Sequence, residues 1–297
     1  MPFERRFGVS MTSIDTAAGW VDKCRTAEKL GFDVITVPDH LGAPSPFSAL
    51  AVAATVTERV RLGPLVLNAS FHNAALLARE LATMDRLSDG RLEIGVGAGH
   101  MKSELDTAGI EWHGPTARIQ HLDRTVRDLK LHLTSGVNPQ PVQRPFPPFL
   151  IGGNSSEVLR IAAEHADIVG FAGLRHAPGH PPGTFQLDDA DTLADTVKRF
   201  AEAAGHRDAA IERNMLIQHV EITNDRRAAG TALAAAIPHL ELDIDELLDA
   251  PQVLIGTVDQ ISERIRALEA RFGFTYFSVF DRHMNQFGEV VAELRGS

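Results

Sequence analysis

Short apolar runs alternate with longer amphipathic stretches along the chain, the pattern of repeated strand–helix units around a parallel sheet. The apolar runs predict eight strands: Arg6–Ser10, Val34–Pro38, Arg61–Leu67, Leu92–Val96, Pro148–Ile151, Ile168–Phe171, Met215–Ile222 and Thr275–Phe280. Most are apolar throughout rather than alternating, as strands covered on both faces are. Helical periodicity fills the gaps at Ala17–Leu30, Ser48–Glu58, Ala74–Leu87, Arg118–Leu133, Glu157–Glu164, Leu193–Ala204 and Val258–Phe272, with a closing helix at Gln286–Leu294. Gly31, Gly205 and Gly273 stand where three of these helices should stop.

Two stretches exceed a minimal alternation. Ala172–Gln186, rich in Gly, Pro and His, reads as a loop after the sixth strand. Asn224–Gln252 carries Ala-rich and acidic helical patterns between the last two strands. The chain has 297 residues, more than the roughly 250 of a typical (β/α)₈ barrel. The expected fold is therefore α/β, a (β/α)₈ TIM barrel with an insertion before the last strand, one domain over residues 1–297. A doubly wound sheet is the competing architecture; eight strands with short connections favour closure.

Charge narrows the partners. A formal net charge of −10 argues against a general binder of nucleic-acid phosphates, though an acidic protein can still hold an anion in one local basic pocket. Cys24 is the only cysteine, so neither a disulfide framework nor a Cys-based zinc site is expected. Met1 to Ser10 is too short and polar for a signal peptide. No apolar run approaches the roughly 20 residues that span a bilayer. A cytoplasmic protein acting on a small molecule, with no membrane or nucleic-acid partner, is the expectation; a homodimer stays open.

In a barrel, chemistry gathers at the C-terminal ends of the strands. The first strand ends at Ser10, which can donate a hydrogen bond to a ligand or cap a helix. The second ends in Asp39 and His40, two titratable groups suited to proton handling or, for Asp39, to capping a turn. The third ends at Asn68, an amide able to bond a flat heterocycle or to form an Asx-turn, with His72 just beyond. The fourth ends in Gly97-Ala98-Gly99-His100, with Glu104 opening the next segment. Its glycines lack dinucleotide-fingerprint spacing and read as close backbone approach to a ligand, which puts His100 beside that ligand. The fifth ends in Gly152-Gly153-Asn154-Ser155-Ser156, either an anion site at a helix N-terminus or a plain turn with a serine cap. Arg282, after the eighth, is placed to reach a phosphate, though a solvated arginine is the favoured reading, and Asp188-Asp189-Ala190-Asp191 reads as an acidic helix start. There is no His-Glu-x-x-His, Gly-x-Ser-x-Gly or Gly-x-x-x-x-Gly-Lys, so no metal site is expected.

Four stretches together resemble the luciferase-like flavin and deazaflavin oxidoreductases, in particular the actinobacterial branch that uses coenzyme F420. They are Arg6-Phe7-Gly8-Val9; Ala78 to Gly99, ARELATMDRLSDGRLEIGVGAG; Phe149 to Asp167, FLIGGNSSEVLRIAAEHAD; and Val253 to Arg264, VLIGTVDQISER. The resemblance implies a barrel with the cofactor ring at its C-terminal mouth. It implies that His40 lies beside the ring, that Gly97, Ala98 and Gly99 run along the cofactor, and that Gly152 and Gly153, with Asn154, hold its phosphate. It also implies a bulge with a non-proline cis peptide at Leu65–Val66, backing the ring.

The chain departs from the family pattern at His100, where many relatives have Trp or Glu. It departs again at Phe71-His72-Asn73, near where many have Arg-His-Pro. The implied function is hydride transfer between coenzyme F420 and a small organic substrate. His40 and His100 would handle the proton. Asp39, Leu65, Val66 and Asn68 would contact the cofactor, and Ser10, His72 and Glu104 the substrate. The alternatives are an FMN-dependent luciferase-like monooxygenase and a non-catalytic ligand-binding barrel.

Overall fold

The computed structural model describes residues 3–237 and 240–296. The chain opens with β1 (Arg6–Ser10), α1 (Ala17–Lys29), β2 (Val34–Val37), α2 (Pro46–Val56), β3 (Arg61–Pro64), the two-residue β4 (Leu67–Asn68) and α3 (Ala74–Leu87). It continues through β5 (Ile94–Gly97), α4 (Lys102–Ala108), α5 (Pro115–Leu131), β6 (Phe149–Gly152), α6 (Ser156–His165) and β7 (Ile168–Phe171). Strands β8 (Leu174–His176) and β9 (Phe185–Leu187) precede α7 (Ala190–Ala204) and β10 (Glu212–Ile217). The chain then runs through β11 (His219–Ile222), α8 (Arg226–Ala236), α9 (Ile244–Asp249), β12 (Val253–Gly256), α10 (Val258–Phe272), β13 (Tyr276–Phe280) and α11 (Met284–Gly296).

The main sheet runs β3-β2-β1-β13-β10-β7-β6-β5-β4, every neighbouring pair parallel. Its two ends, β3 and β4, are halves of one stave, parted at Leu65–Val66, whose peptide bond is cis. A parallel bridge from Leu62 to Leu92, just ahead of β5, completes the ring. The barrel thus has the eight staves that the apolar runs predict, in the predicted order.

Helix starts shift where a proline supplies the first turn. α2 begins at Pro46 rather than Ser48, and α5 at Pro115 rather than Arg118. A fixed φ and a missing N–H suit proline to that position. α7 begins at Ala190, with Asp189 accepting from the Thr192 amide, so the acidic run is a helix cap as read.

Two regions differ from the sequence reading. Met215–Ile222 is not one strand. β10 leaves the barrel at Gln218, where the amides of Gln218 and His219 both donate to the Gln252 carbonyl, at 2.8 and 3.4 Å. β11 then pairs with β12 in a separate two-stranded parallel sheet. Within the expected loop Ala172–Gln186, β8 and β9 form an antiparallel hairpin from Leu174–Leu187 to His176–Phe185. Its base is rooted in the insertion: Leu174 and Leu187 pack in an apolar cluster with Ala229, Leu247, Leu248, Val253 and Ile255, separate from the main core.

The main core lies between the staves and the helices around them. Inside the barrel, Val34, Leu150, Ile168 and Tyr276 pack together, with Leu65 and Val66 against them. Below this layer the N-terminal end is closed by charge. Arg6 Nη1 donates to Glu93 at 2.6 Å, Arg6 Nη2 to Glu212, and Arg61 Nε to Glu93 at 2.6 Å. Arg6 also stacks its guanidinium 4.5 Å from the centre of the Tyr276 ring.

Candidate active site

At the opposite end of the barrel the third and fourth staves meet without room for side chains. A Cβ at Gly97 would lie 2.7 Å from Val66 Cγ2. Gly99 has φ +71°, and a Cβ there would lie 2.3 Å from Asn68 Oδ1. The close backbone approach read from this glycine run is therefore made, in the first place, to the protein's own bulged stave. Val66 packs over Gly95, Gly97 and Gly152.

Asp39, just past β2, ties that stave to the next. Its Oδ2 accepts from the Asn68 amide at 3.1 Å and from His72 Nε2 at 2.8 Å. The Asn68 side chain accepts from the Ser70 amide at 3.1 Å, so it does form the Asx-type turn. His72 also meets Phe47 edge-on, with ring centres 6.3 Å apart.

His40 belongs to a second cluster. Its Nδ1 lies 3.0 Å from both carboxylate oxygens of Glu104 in α4. Donation from Nδ1–H to that carboxylate leaves Nε2 as the basic nitrogen of the neutral ring. The His40 and His100 rings meet at 5.3 Å, and His100 meets Phe185 of the hairpin at 5.0 Å, both edge-on. His100 is nonetheless exposed to solvent at the mouth. Desolvation by its neighbours, then the charge His40 can carry, push its pKa down to about 4, against a smaller upward pull from Glu104. His100 is therefore neutral at pH 7.

The fifth stave delivers Gly152, Gly153 and Asn154 to the start of α6. Ser155 caps that helix, its side chain accepting from the Val158 amide. Asn154 donates to the Leu174 carbonyl, while its Oδ1 is buried without a partner. A buried acceptor left open costs about 1–3 kcal/mol and is relieved by a donor from a ligand. Ser10 is buried at the end of β1, opposite Thr36 and Phe280. Arg282 is held rather than free, donating to the Gln218 carbonyl at 2.9 Å over the Phe280 ring.

The structure thus gathers Asp39, Asn68, His72 and Gly99 in one contact group and His40, Glu104 and His100 in another. Ser10 has no contact with either group among the described hydrogen bonds and ring pairs. Phe185, which meets His100, is not singled out by the sequence, because it lies in a stretch whose composition reads as loop. Among the described residues no three His, Cys, Asp or Glu side chains gather in a metal-binding arrangement, and no helix is long and apolar enough to cross a membrane.

The luciferase-like monooxygenase family matches residues 3–245, and the chain belongs to it. The 5,10-methylenetetrahydromethanopterin reductase of Archaeoglobus fulgidus is 29% identical over 157 residues, 48% of this chain and 46% of that protein. The F420-dependent glucose-6-phosphate dehydrogenase of Kribbella flavida is 40% identical over 116 residues, 35% of this chain and 34% of that protein. The matched stretches thus span less than half the length of these curated relatives. An F420-dependent secondary alcohol dehydrogenase, solved with an F420–acetone adduct, shares the fold with a TM-score of 0.76 at 17% identity. That match covers 99% of this chain and all (100%) of the other.

Proposed function

We propose that the protein is a coenzyme F420-dependent oxidoreductase, one barrel domain over residues 1–297, moving a hydride between the deazaflavin and a small organic substrate. The observation that carries this reading is the His40–Glu104–His100 cluster, set at the mouth beside the Val66 bulge and the Gly97–Gly99 run. The F420 dependence of the glucose-6-phosphate dehydrogenase relative supports the choice of coenzyme.

When bound, the deazaflavin supplies the two-electron, hydride-carrying chemistry. The protein's own residues do the rest. Leu65 and Val66 would offer backbone to the flat ring, with Gly97, Ala98 and Gly99 letting the next stave close up behind that bulge. Asp39 fixes the Asn68 amide and, through it, the edge of the pocket. The amides that follow Gly152 and Gly153 at the start of α6 would hold the cofactor phosphate, and the open Asn154 Oδ1 would accept a donor of the same ligand. Glu104 holds His40 with Nε2 basic. His100, neutral at pH 7, would accept the substrate's proton in the oxidising direction and return it in the reducing one. Ser10 and His72 line the substrate side.

Calorimetric titration with coenzyme F420 and with FMN tests the reading. Tighter binding of F420 is expected. Clearly tighter binding of FMN would overturn it in favour of an FMN-dependent monooxygenase of the same family.

A further inference from the structure

Arg118 stands in the first turn of α5, on the rim formed by the third and fourth staves. One turn further on, His121 Nε2 lies 3.1 Å from the Ala69 carbonyl, the residue that follows Asn68. Positions three apart share a helix face. The contact that seats His121 on the third stave therefore brings Arg118 over the same rim, near enough to His100 for its charge to act on that ring.

The guanidinium is held but not neutralised. Its Cζ lies 3.8 Å from the centre of the Trp112 ring, and its Nη1 donates to the His113 carbonyl at 2.6 Å. Its Nε is buried without a partner. No carboxylate of the described residues pairs with it; Arg91, Arg207 and Arg264 also lack one but put their donors on two or more backbone carbonyls or, for Arg264, beside Asp249, whereas Arg118 reaches one carbonyl alone. Acidic residues outnumber lysines and arginines, 39 to 29, so partners were available. A half-buried arginine with free donors is a fork waiting for a carboxylate or phosphate.

We propose that Arg118 anchors an anionic group of the substrate, a carboxylate or a phosphate, beside His100. This rests on the oxidoreductase reading and narrows it to acidic substrates. Stacked on Trp112, the fork is pre-oriented, and an arriving anion takes up the donors that the fold leaves open.

Trp112 reports on the site directly. The chain has two tryptophans, and the other, Trp20, is buried with its indole N–H bonded to the Ala49 carbonyl. The full-length protein, with and without coenzyme F420, is titrated with benzoate and with inorganic phosphate while tryptophan emission is followed. Benzyl alcohol serves as the neutral control. At least one anion is expected to give a saturable change. Arg118→Gln should weaken it about tenfold or more, as loss of charged hydrogen bonds does. Arg118→Lys, which keeps the charge and loses the fork, should fall between. No saturable change with either anion, an equal response to benzyl alcohol, or an unaltered response in Arg118→Gln would each overturn the proposal. So would a loss in Arg118→Gln of affinity for intact coenzyme F420 but not for its tail-less chromophore, because the anion held there would then be the cofactor's own. If wild type fails to bind F420 yet shows the Arg118-dependent anion response, the cofactor reading falls and the anion anchor stands.

Discussion

The two ends of the barrel are both rich in charge, and they differ in how completely that charge is matched. At the N-terminal end Arg6 and Arg61 are joined to Glu93 and Glu212, with both carboxylates only 6% exposed. Charges buried so deeply are tolerable because each is paired. At the C-terminal end the pairings are partial: His40 with Glu104, His72 with Asp39, and open atoms on Arg118 and Asn154. A matched network closes a barrel; an unmatched one is poised to be completed by something from outside.

The largest effect that tests this contrast concerns the open end. His100→Ala should lower kcat by roughly 10²–10⁴-fold, the usual contribution of a proton-transfer group, with little change in coenzyme affinity. Steady-state kinetics beside calorimetry separates the two, and an unchanged kcat would remove His100 from the chemistry. At the closed end the effect should fall on stability alone. Arg6→Met leaves Glu212 buried without its partner and should cost about 3 kcal/mol in urea unfolding, with kcat per folded molecule unaltered. A loss of kcat from this change would break the division between the ends.

A smaller effect is expected at the seam of the third and fourth staves. Gly97→Ala drives a methyl to 2.7 Å from Val66 Cγ2 and should cost about 1–3 kcal/mol through overpacking. Val66→Ala makes room, so the double variant should recover part of that loss. Simple additivity would mean that the two residues do not share the space.

The smallest is a pH effect. The His100 pKa is depressed to about 4 in the fold, from an ordinary 6.5. Between those values the unfolded chain binds a proton that the folded chain does not, so stability is lost as pH falls through the window and is unaffected above it. His283, depressed to about 4 by burial and then by Arg282 and His219, acts in the same direction. His100→Gln should therefore lose less stability than wild type between pH 7.5 and pH 5. Urea midpoints at the two values provide the measurement, and parallel losses would reject it.

The staves were legible because strands covered on both faces must be apolar, and a barrel needs eight of them. The hairpin was not legible. Its strands are three residues each and lie in a Gly- and Pro-rich stretch, and what fixes them is distant: Leu187 packs on the insertion, and Asp188 binds Arg175. The site was legible as a set of strand-end residues, since Asp39, His40, Asn68 and His100 each follow a readable apolar run. Their pairings were not. His40 meets Glu104 across 64 positions and Asp39 meets His72 across 33, distances that only the closed barrel brings to nothing. Arg118 escaped because nothing local distinguishes an arginine stacked on an indole from one in water.

The hairpin touches the site through Phe185, on His100, yet its base is embedded in the insertion's apolar cluster and not in the barrel's. Cover and vessel are thus separate pieces of construction. Replacing Leu247 or Leu248 would act on the hairpin's base, through Leu174 and Leu187, without touching the core that holds the staves. A scaffold made this way can be re-fitted for a different guest by altering residues that never meet it.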